Sequence, residues 1–327
     1  MVSTRRLRMV YFGTPEFAVP ALRRLLETST GTGGMLPPHE VVGLVSQPDR
    51  PKGRGNRLAP TPTKELALAA GIPVLQPERL KDDTFLTAIA ALTPDLGVVA
   101  AYGKLLPDTL LSIPPLGMIN VHASLLPRWR GAAPIHRAVI AGDRETGITI
   151  MRVVKELDAG ASFKKVRRAI GSDETTMEVE RDLAEMGARL LLDVLQEIAE
   201  GRATETPQDP SLATYATKIT KAEGAVEWSL PAERIHNLVR GLQPWPLVSG
   251  RIRGAGVLIH RTELTPAVSP DAPGTIVRAE PERFEIVAGD GRVLRVLTIQ
   301  PEGRRAMSAR EFLAGRLIGP GTKVERG

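Results

Sequence analysis

Asn120 and His122 are the residues at which chemistry could begin. They stand two apart in INVHASLLPRWRGAAP, residues 119–134, in a chain with only five histidines. Side chains alternate faces along a strand. A strand over 118–122 therefore sends Ile119 and Val121 one way and Asn120 and His122 the other. An amide and an imidazole together at a strand's carboxyl end can both donate to a developing oxyanion. Asp158 follows in KELDAG, where an apolar strand runs into a tight turn that could aim the carboxylate back at the sheet. An aspartate beside a histidine would fix its tautomer. The competing reading is a core histidine with its hydrogen bonds satisfied. No serine, threonine or cysteine is placed as a nucleophile, so the constellation suits direct transfer to an incoming nucleophile.

Composition narrows the chemistry further. The 327 residues contain no cysteine, which excludes disulfides, zinc–thiolate sites and a thiolate nucleophile. With so few histidines, and none in a His-x-x-x-His pair, a metal site is not expected. The 42% hydrophobic and 24% charged content is that of an ordinary globular protein. No apolar run approaches the roughly 18 residues of a spanning helix, and the N-terminal residues lack a signal-peptide pattern. A cytoplasmic location is expected. The net charge of +6 is compatible with a polyanionic partner but does not by itself require one.

The elements that must position these residues alternate in type. Strand-like runs in RMVYFG, EVVGLV, LGVVAA, GMINVHAS and ETGITIMRVV are separated by helical patterns such as VPALRRLLE, KELALAAG, FLTAIAAL and PIHRAVIAG. That order predicts a Rossmann-like α/β fold: a mostly parallel sheet with helices on both faces. Ligands bind such sheets beyond the carboxyl ends of the strands, where His122 lies. The first strand–helix turn carries Gly13 alone, without the G-x-G-x-x-G of a dinucleotide site.

Further along, residues 172–201 read as one long amphipathic helix, with Thr175-x-x-Glu178 as its capping box. Residues 202–220 are polar, proline-containing and aperiodic, and read as a linker. From 221 onward, after a helix around LPAERIHNLVRGL, short strands punctuated by Gly, Pro and Asp predict a small C-terminal β-barrel. The run FKKVRRAI (163–170) fits an edge strand blunted by charge. Trp245, between two prolines, is expected to pack into the core at the barrel's entrance. His136 and His236 show no partner in the pattern. Residues 47–58, QPDRPKGRGNRL, form a Gly/Pro-punctuated loop in which Arg50, Lys52, Arg54 and Arg57 could bind phosphates.

Asn-x-His, Ser-Leu-Leu-Pro, the Arg-Gly and Pro pair and the downstream Leu-Asp-x-Gly together resemble the folate-dependent formyltransferase family. FGTPEFAVPAL, SQPDRPKGRGNRLAPTPTKELA, DLGVVAAYGKLLP and GLQPWPLVSG are similar to the branch that formylates initiator methionyl-tRNA. The likeness runs over nearly the whole chain. It implies a Rossmann-like catalytic domain (1–201), a linker (202–220) and an OB-like tRNA-binding domain (221–327). It implies 10-formyltetrahydrofolate as cosubstrate, lying along Ser124, Leu125, Leu126 and Pro127, and no metal. Asn120, His122 and Asp158 become the catalytic trio for attack by the α-amino group through a tetrahedral oxyanion. The loop with Arg50, Lys52, Arg54 and Arg57 becomes the finger near the tRNA acceptor end, in an enzyme expected to act as a monomer.

The chain departs from the family after Asp158. Ala161 and Ser162 stand where an aspartate or proline and an apolar residue are usual, which puts the packing of that turn in question. The alternatives are a formyltransferase acting on a small amine, a formyl-folate hydrolase, an RNA-binding module without catalysis, and a nicotinamide oxidoreductase. The barrel and basic loop disfavour the first two, the intact trio the third, and the single glycine of the first turn the last.

Overall fold

The apolar runs of the first half become buried strands because both faces of their sheet are covered. In the computed structural model, residues 5–29, 39–52, 57–314 and 316–327 are described, with backbone alone at Ser29, Lys52 and Arg57. Strand β1 (Arg8–Gly13), helix α1 (Val19–Ser29) and β2 (Glu40–Val45) make the first β–α–β unit. The antiparallel pair of β3 (Arg50–Lys52) and β4 (Arg57–Ala59) precedes α2 (Pro62–Ala69) and β5 (Val74–Leu75). Next come α3 (Asp83–Ala91), β6 (Leu96–Ala100), α4 (Asp108–Leu111) and β7 (Met118–His122). Then β8 (Arg130–Gly131) and α5 (Pro134–Ala141) lead to β9 (Glu145–Arg152) and β10 (Ser162–Ala169).

These strands form one seven-stranded sheet in the order β10-β9-β7-β6-β1-β2-β5. Strands β5, β2, β1, β6 and β7 run parallel, whereas β9 pairs antiparallel with β7. Because β1 lies between β2 and β6, the chain reverses its winding there, the position at which ligands bind such sheets beyond the carboxyl ends of their strands. Strand β10 is the outer edge and carries Lys164, Lys165, Arg167 and Arg168, as the charge pattern predicts. Gly13 answers to packing. A Cβ there would sit 2.8 Å from the Ala18 Cβ and 3.2 Å from the Ala100 carbonyl oxygen, so the first turn closes on its own helix and on β6.

The chain clusters into two units. The first comprises residues 1–132, 146–168 and 180–216; the second comprises 133–145, 169–179 and 217–327. Helix α6 (Thr176–Ala199) starts at the expected box, where the Glu178 carboxylate accepts from the Thr175 N–H at 2.7 Å. Strand β11 (Tyr215–Ala216) pairs parallel with β8 inside the first unit.

In the second unit, α7 (Ala232–Gly241) packs on α5 so closely that a Cβ at Gly241 would meet the Ile140 side chain at 2.4 Å. The antiparallel sheet contains β12 (Val248–Ile252), β13 (Ala255–Val268), β14 (Ile276–Glu280), β15 (Arg283–Val287) and β16 (Arg292–Pro301). β17 (Met307–Ser308) pairs with β16, and α8 (Ala309–Leu313) precedes β18 (Val324–Arg326), which pairs with β12. A bridge between Thr275 and Lys323 joins the two ends of the sheet and curls it into a barrel around Trp228, Ile235, Phe284, Leu294 and Phe312. Trp245 is not in that core. It is 53% exposed, between two cis prolyl bonds, so the expectation of a packed tryptophan is corrected. His236, by contrast, has partners in Thr262 and the Ser172 carbonyl, brought to it by folding rather than by sequence neighbourhood.

Burial holds the imidazoles of His39, His136 and His236 below the usual histidine range, because a charged ring would lose its water. In the unfolded chain these rings protonate near pH 6.5, whereas in the folded chain they protonate only lower. The unfolded state therefore binds more protons in that window. The stabilisation is complete above about pH 6.5 and is lost as pH falls towards the folded values. The melting temperature is expected to be lower at about pH 5.5 than at about pH 7.5. An unchanged or higher value on the acid side would show that the rings titrate alike in both states.

Candidate active site

Strand β7 places its two polar residues as the period of two requires. Asn120 lies beside Val99 of β6 and opposite Met151 of β9, and His122 lies opposite Thr149. Asn120 is half-buried, and its side chain makes no hydrogen bond among the described residues. The His122 ring is 5% exposed, with Nε2 donating to the Trp129 carbonyl at 3.0 Å. Its Nδ1 faces Asp158 Oδ2 at 3.6 Å. A carbonyl oxygen only accepts, so Nε2 carries a hydrogen.

The KELDAG turn aims Asp158 at the histidine. Asp158 takes a left-handed backbone (φ 48°), and its Oδ2 also accepts from the Gly131 N–H at 2.8 Å. Gly160 allows the chain to return: a Cβ there would lie 1.9 Å from the Arg152 carbonyl oxygen, at the end of β9. The unusual Ala161 and Ser162 are held through their backbones. The Ala161 carbonyl accepts from Arg152 N–H at 2.8 Å, and Ser162 and Thr206 exchange hydrogen bonds of 2.8 and 2.9 Å.

The Ser-Leu-Leu-Pro turn is pinned from inside the sheet. Thr149 Oγ1 donates to the Ser124 carbonyl at 2.7 Å and accepts from Leu126 N–H at 3.1 Å. Ser124 Oγ donates to the Arg128 carbonyl at 2.6 Å, and Lys165 Nζ donates to the Leu126 carbonyl at 2.5 Å. Ser124 and Leu126 are buried, whereas Leu125 and Pro127 are half-buried. The turn therefore presents Leu125, Pro127 and backbone as its accessible edge.

Within the basic segment β3 and β4 pair antiparallel, Arg50 with Ala59 and Lys52 with Arg57. Arg50 is exposed, and Arg54 lies outside the described residues. A feature that local reading missed holds the start of this segment. Asp49 accepts from Gln76 Nε2 at 2.7 Å and Lys64 Nζ at 2.6 Å, and Gln76 also donates to the Gln47 carbonyl. These bonds, Gln76 first and then Lys64, hold the Asp49 carboxyl below its usual range. Nothing in the local sequence pairs residue 49 with residue 76.

A second missed feature lies in the segment read as a linker. Gln208 Nε2 donates to the carbonyls of Asp158 at 2.9 Å and Gly160 at 2.7 Å. Its Oε1 accepts from the Arg130 guanidinium at 2.8 and 3.1 Å. The only sequence signal was rigidity, since Pro207 and Pro210 bracket the residue. Among the described residues no cluster of His, Asp or Glu could hold a metal ion, and no helix is long and apolar enough to cross a membrane.

Comparison with known proteins agrees with this architecture. Residues 7–195 match the family described as Formyl transferase, and residues 218–317 match Formyl transferase, C-terminal domain. Methionyl-tRNA formyltransferase of Methylococcus capsulatus is 44% identical over 319 residues, spanning 96% of this chain and 100% of its own. That of Methylobacillus flagellatus is 45% identical, spanning 97% of this chain and 99% of its own. Two solved structures share the fold at low identity. The sugar 3N-formyl transferase WlaRD has a TM-score of 0.64 and 14% identity, over 92% of this chain and 100% of its own. HypX from Aquifex aeolicus in complex with tetrahydrofolic acid has a TM-score of 0.61 and 16% identity, over 94% of this chain and 47% of its own. With both domain families matched in order, and relatives aligned across almost every residue, this chain belongs to the formyl transferases.

Proposed function

We propose that this chain transfers a formyl group from 10-formyltetrahydrofolate to the α-amino group of initiator methionyl-tRNA. One observation carries the reading: curated methionyl-tRNA formyltransferases match it end to end, the C-terminal unit included. The site suits a formyl donor because the Asn120 amide, half-buried on the same strand face as His122, makes no hydrogen bond among the described residues. When bound, the folate supplies the formyl carbon. Asn120 donates its amide N–H to the oxygen that gains charge there, and His122 adds a second donor once Nε2 turns from the Trp129 carbonyl. Asp158 orients His122. The pair takes the proton shed by the attacking amine and returns it to the departing nitrogen. One C–N bond forms as another breaks, with no net proton released.

Ser124, Leu125, Leu126 and Pro127 make the folate's edge in this reading, the buried pair shaping the turn and the half-buried pair touching the ligand. In this reading Arg50, Lys52, Arg54 and Arg57 bind the tRNA phosphates, and the bonds of Asp49 with Gln76 and Lys64 fix the start of that segment. We place catalysis in the first unit and further tRNA contacts in the second. We propose that it acts as a monomer in the cytoplasm, where the reaction's place in translation initiation puts it.

The test is formyl-methionine production from charged initiator tRNA and 10-formyltetrahydrofolate, with free methionine replacing the tRNA as control. Formylation of the free amino acid at a similar rate, or no formylation of the tRNA, would overturn the reading. For the basic segment, Arg54→Ala is expected to raise KM for tRNA, flatten its salt dependence by about one phosphate contact, and leave KM for the folate unchanged. An unaltered salt slope would remove Arg54 from the interface.

A further inference from the structure

We infer that Gln208 is a positioning residue for the formyl transfer, tying the Asp158 turn and the Arg130 loop into one rigid unit that keeps the carboxylate on His122. The inference rests on the role proposed for Asp158 and extends it to a segment that sequence reading left as a connector.

The geometry is specific. A glutamine has two amide donors and one carbonyl acceptor. Here Nε2 spends its donors on the Asp158 and Gly160 carbonyls, while Oε1 takes both hydrogen bonds from the Arg130 guanidinium. Arg130 is buried, and its neighbours are the remaining site groups. Trp129 supplies the carbonyl to His122 Nε2, and Gly131 supplies the N–H to Asp158 Oδ2. The same segment stitches both loops through its backbone. Thr206 exchanges bonds with Ser162, Thr214 Oγ1 accepts from Trp129 N–H at 2.9 Å, and the Thr214 carbonyl accepts from Arg130 N–H at 2.8 Å. Asp158 and Trp129 both hold left-handed backbones (φ 48° and 63°). Single residues in that region persist only where their surroundings over-determine them. Among the described residues, the Gln208 amide is the one side chain bonded to the Asp158 carbonyl and the Arg130 guanidinium at once.

No carboxylate or aliphatic side chain reproduces both halves of this arrangement, which makes the inference testable. Gln208→Ala is expected to lower kcat by about 10- to 100-fold, with KM for folate and for tRNA little changed, and to lower the melting temperature as well, because the buried Arg130 guanidinium loses its acceptor. Gln208→Glu separates donation from simple bridging. It keeps an acceptor for Arg130 but puts an oxygen where Nε2 faced two carbonyls, so it is expected to be as impaired as the alanine variant. If Gln208 served only to satisfy Arg130, Gln208→Glu would keep parental kcat, and the inference would be overturned.

A double-mutant cycle with Asp158→Ala, read by single-turnover formylation, isolates the route of the effect. Gln208→Ala is expected to add almost nothing once Asp158 is gone. Additive losses would show that Gln208 acts elsewhere. An active Asp158→Ala enzyme would instead sink the reading of Asp158 itself, so the two failures are distinguishable.

Discussion

Asn120→Ala is expected to lower kcat by roughly 10²–10³, about 2.7–4 kcal/mol of transition-state stabilisation, while leaving the fold unchanged. The asymmetry follows from its surroundings. The Asn120 amide has no hydrogen-bond partner among the described residues, so truncation strands no buried group and creates no unsatisfied acceptor. Only the transition state, where charge develops on the formyl oxygen, loses a partner. KM for the folate is expected to stay near that of the parent, since an interaction made only in the transition state appears in kcat and kcat/KM together. Asn120→Asp provides the comparison: it keeps the shape but replaces a donor with a carboxylate, and is expected to lose at least as much. Steady-state kinetics with saturating tRNA, alongside thermal melting, measure both. Near-parental turnover of the alanine variant would remove Asn120 from the site.

Gly160→Ala carries the second large effect, and it acts on backbone rather than on a donor. The added methyl would stand 1.9 Å from the Arg152 carbonyl oxygen and 2.9 Å from its carbon. Those atoms belong to the end of β9, and Arg152 is itself tied to Ala161 by its N–H and to Glu205 by its guanidinium. Neither side can yield without opening the turn. Opening it draws Asp158 away from His122 and from the Gly131 N–H. A displacement of about 1 Å in such a group costs on the order of 10² in rate, and forcing a methylene into a packed site costs about 1–3 kcal/mol of stability. A variant with parental kcat and melting temperature would show that the turn moves aside freely.

Much of the site was legible because it is local. Asn120 and His122 share a face by the pleat of β7, and the apolar runs around them announced buried strands. The capping box of α6 and the charged edge of β10 were readable for the same reason, since each depends on residues a few positions apart. What escaped was long-range. Gln208 touches residues about 50 and 78 positions away, and Asp49 meets Gln76 across 27. Trp245 was misjudged because a large apolar side chain is ordinarily buried, and only the course of its proline-flanked turn leaves it at the surface.

Sequence by itself determined the alternation of strands and helices, the chemistry excluded by the lack of cysteine, and the formyl-transfer resemblance that makes Asn120, His122 and Asp158 the candidate trio. Each of these rests on residue type, short spacing or end-to-end likeness. Tertiary structure alone decided that β9 turns antiparallel beside β7, which carries the KELDAG turn back towards His122. It also decided that Ala161 and Ser162 are held by backbone bonds, and that residues 202–216 fold with the first unit. Backbone amides and carbonyls are the same at every position. Which of them meet across distant loops is settled by chain geometry and is written in no local pattern.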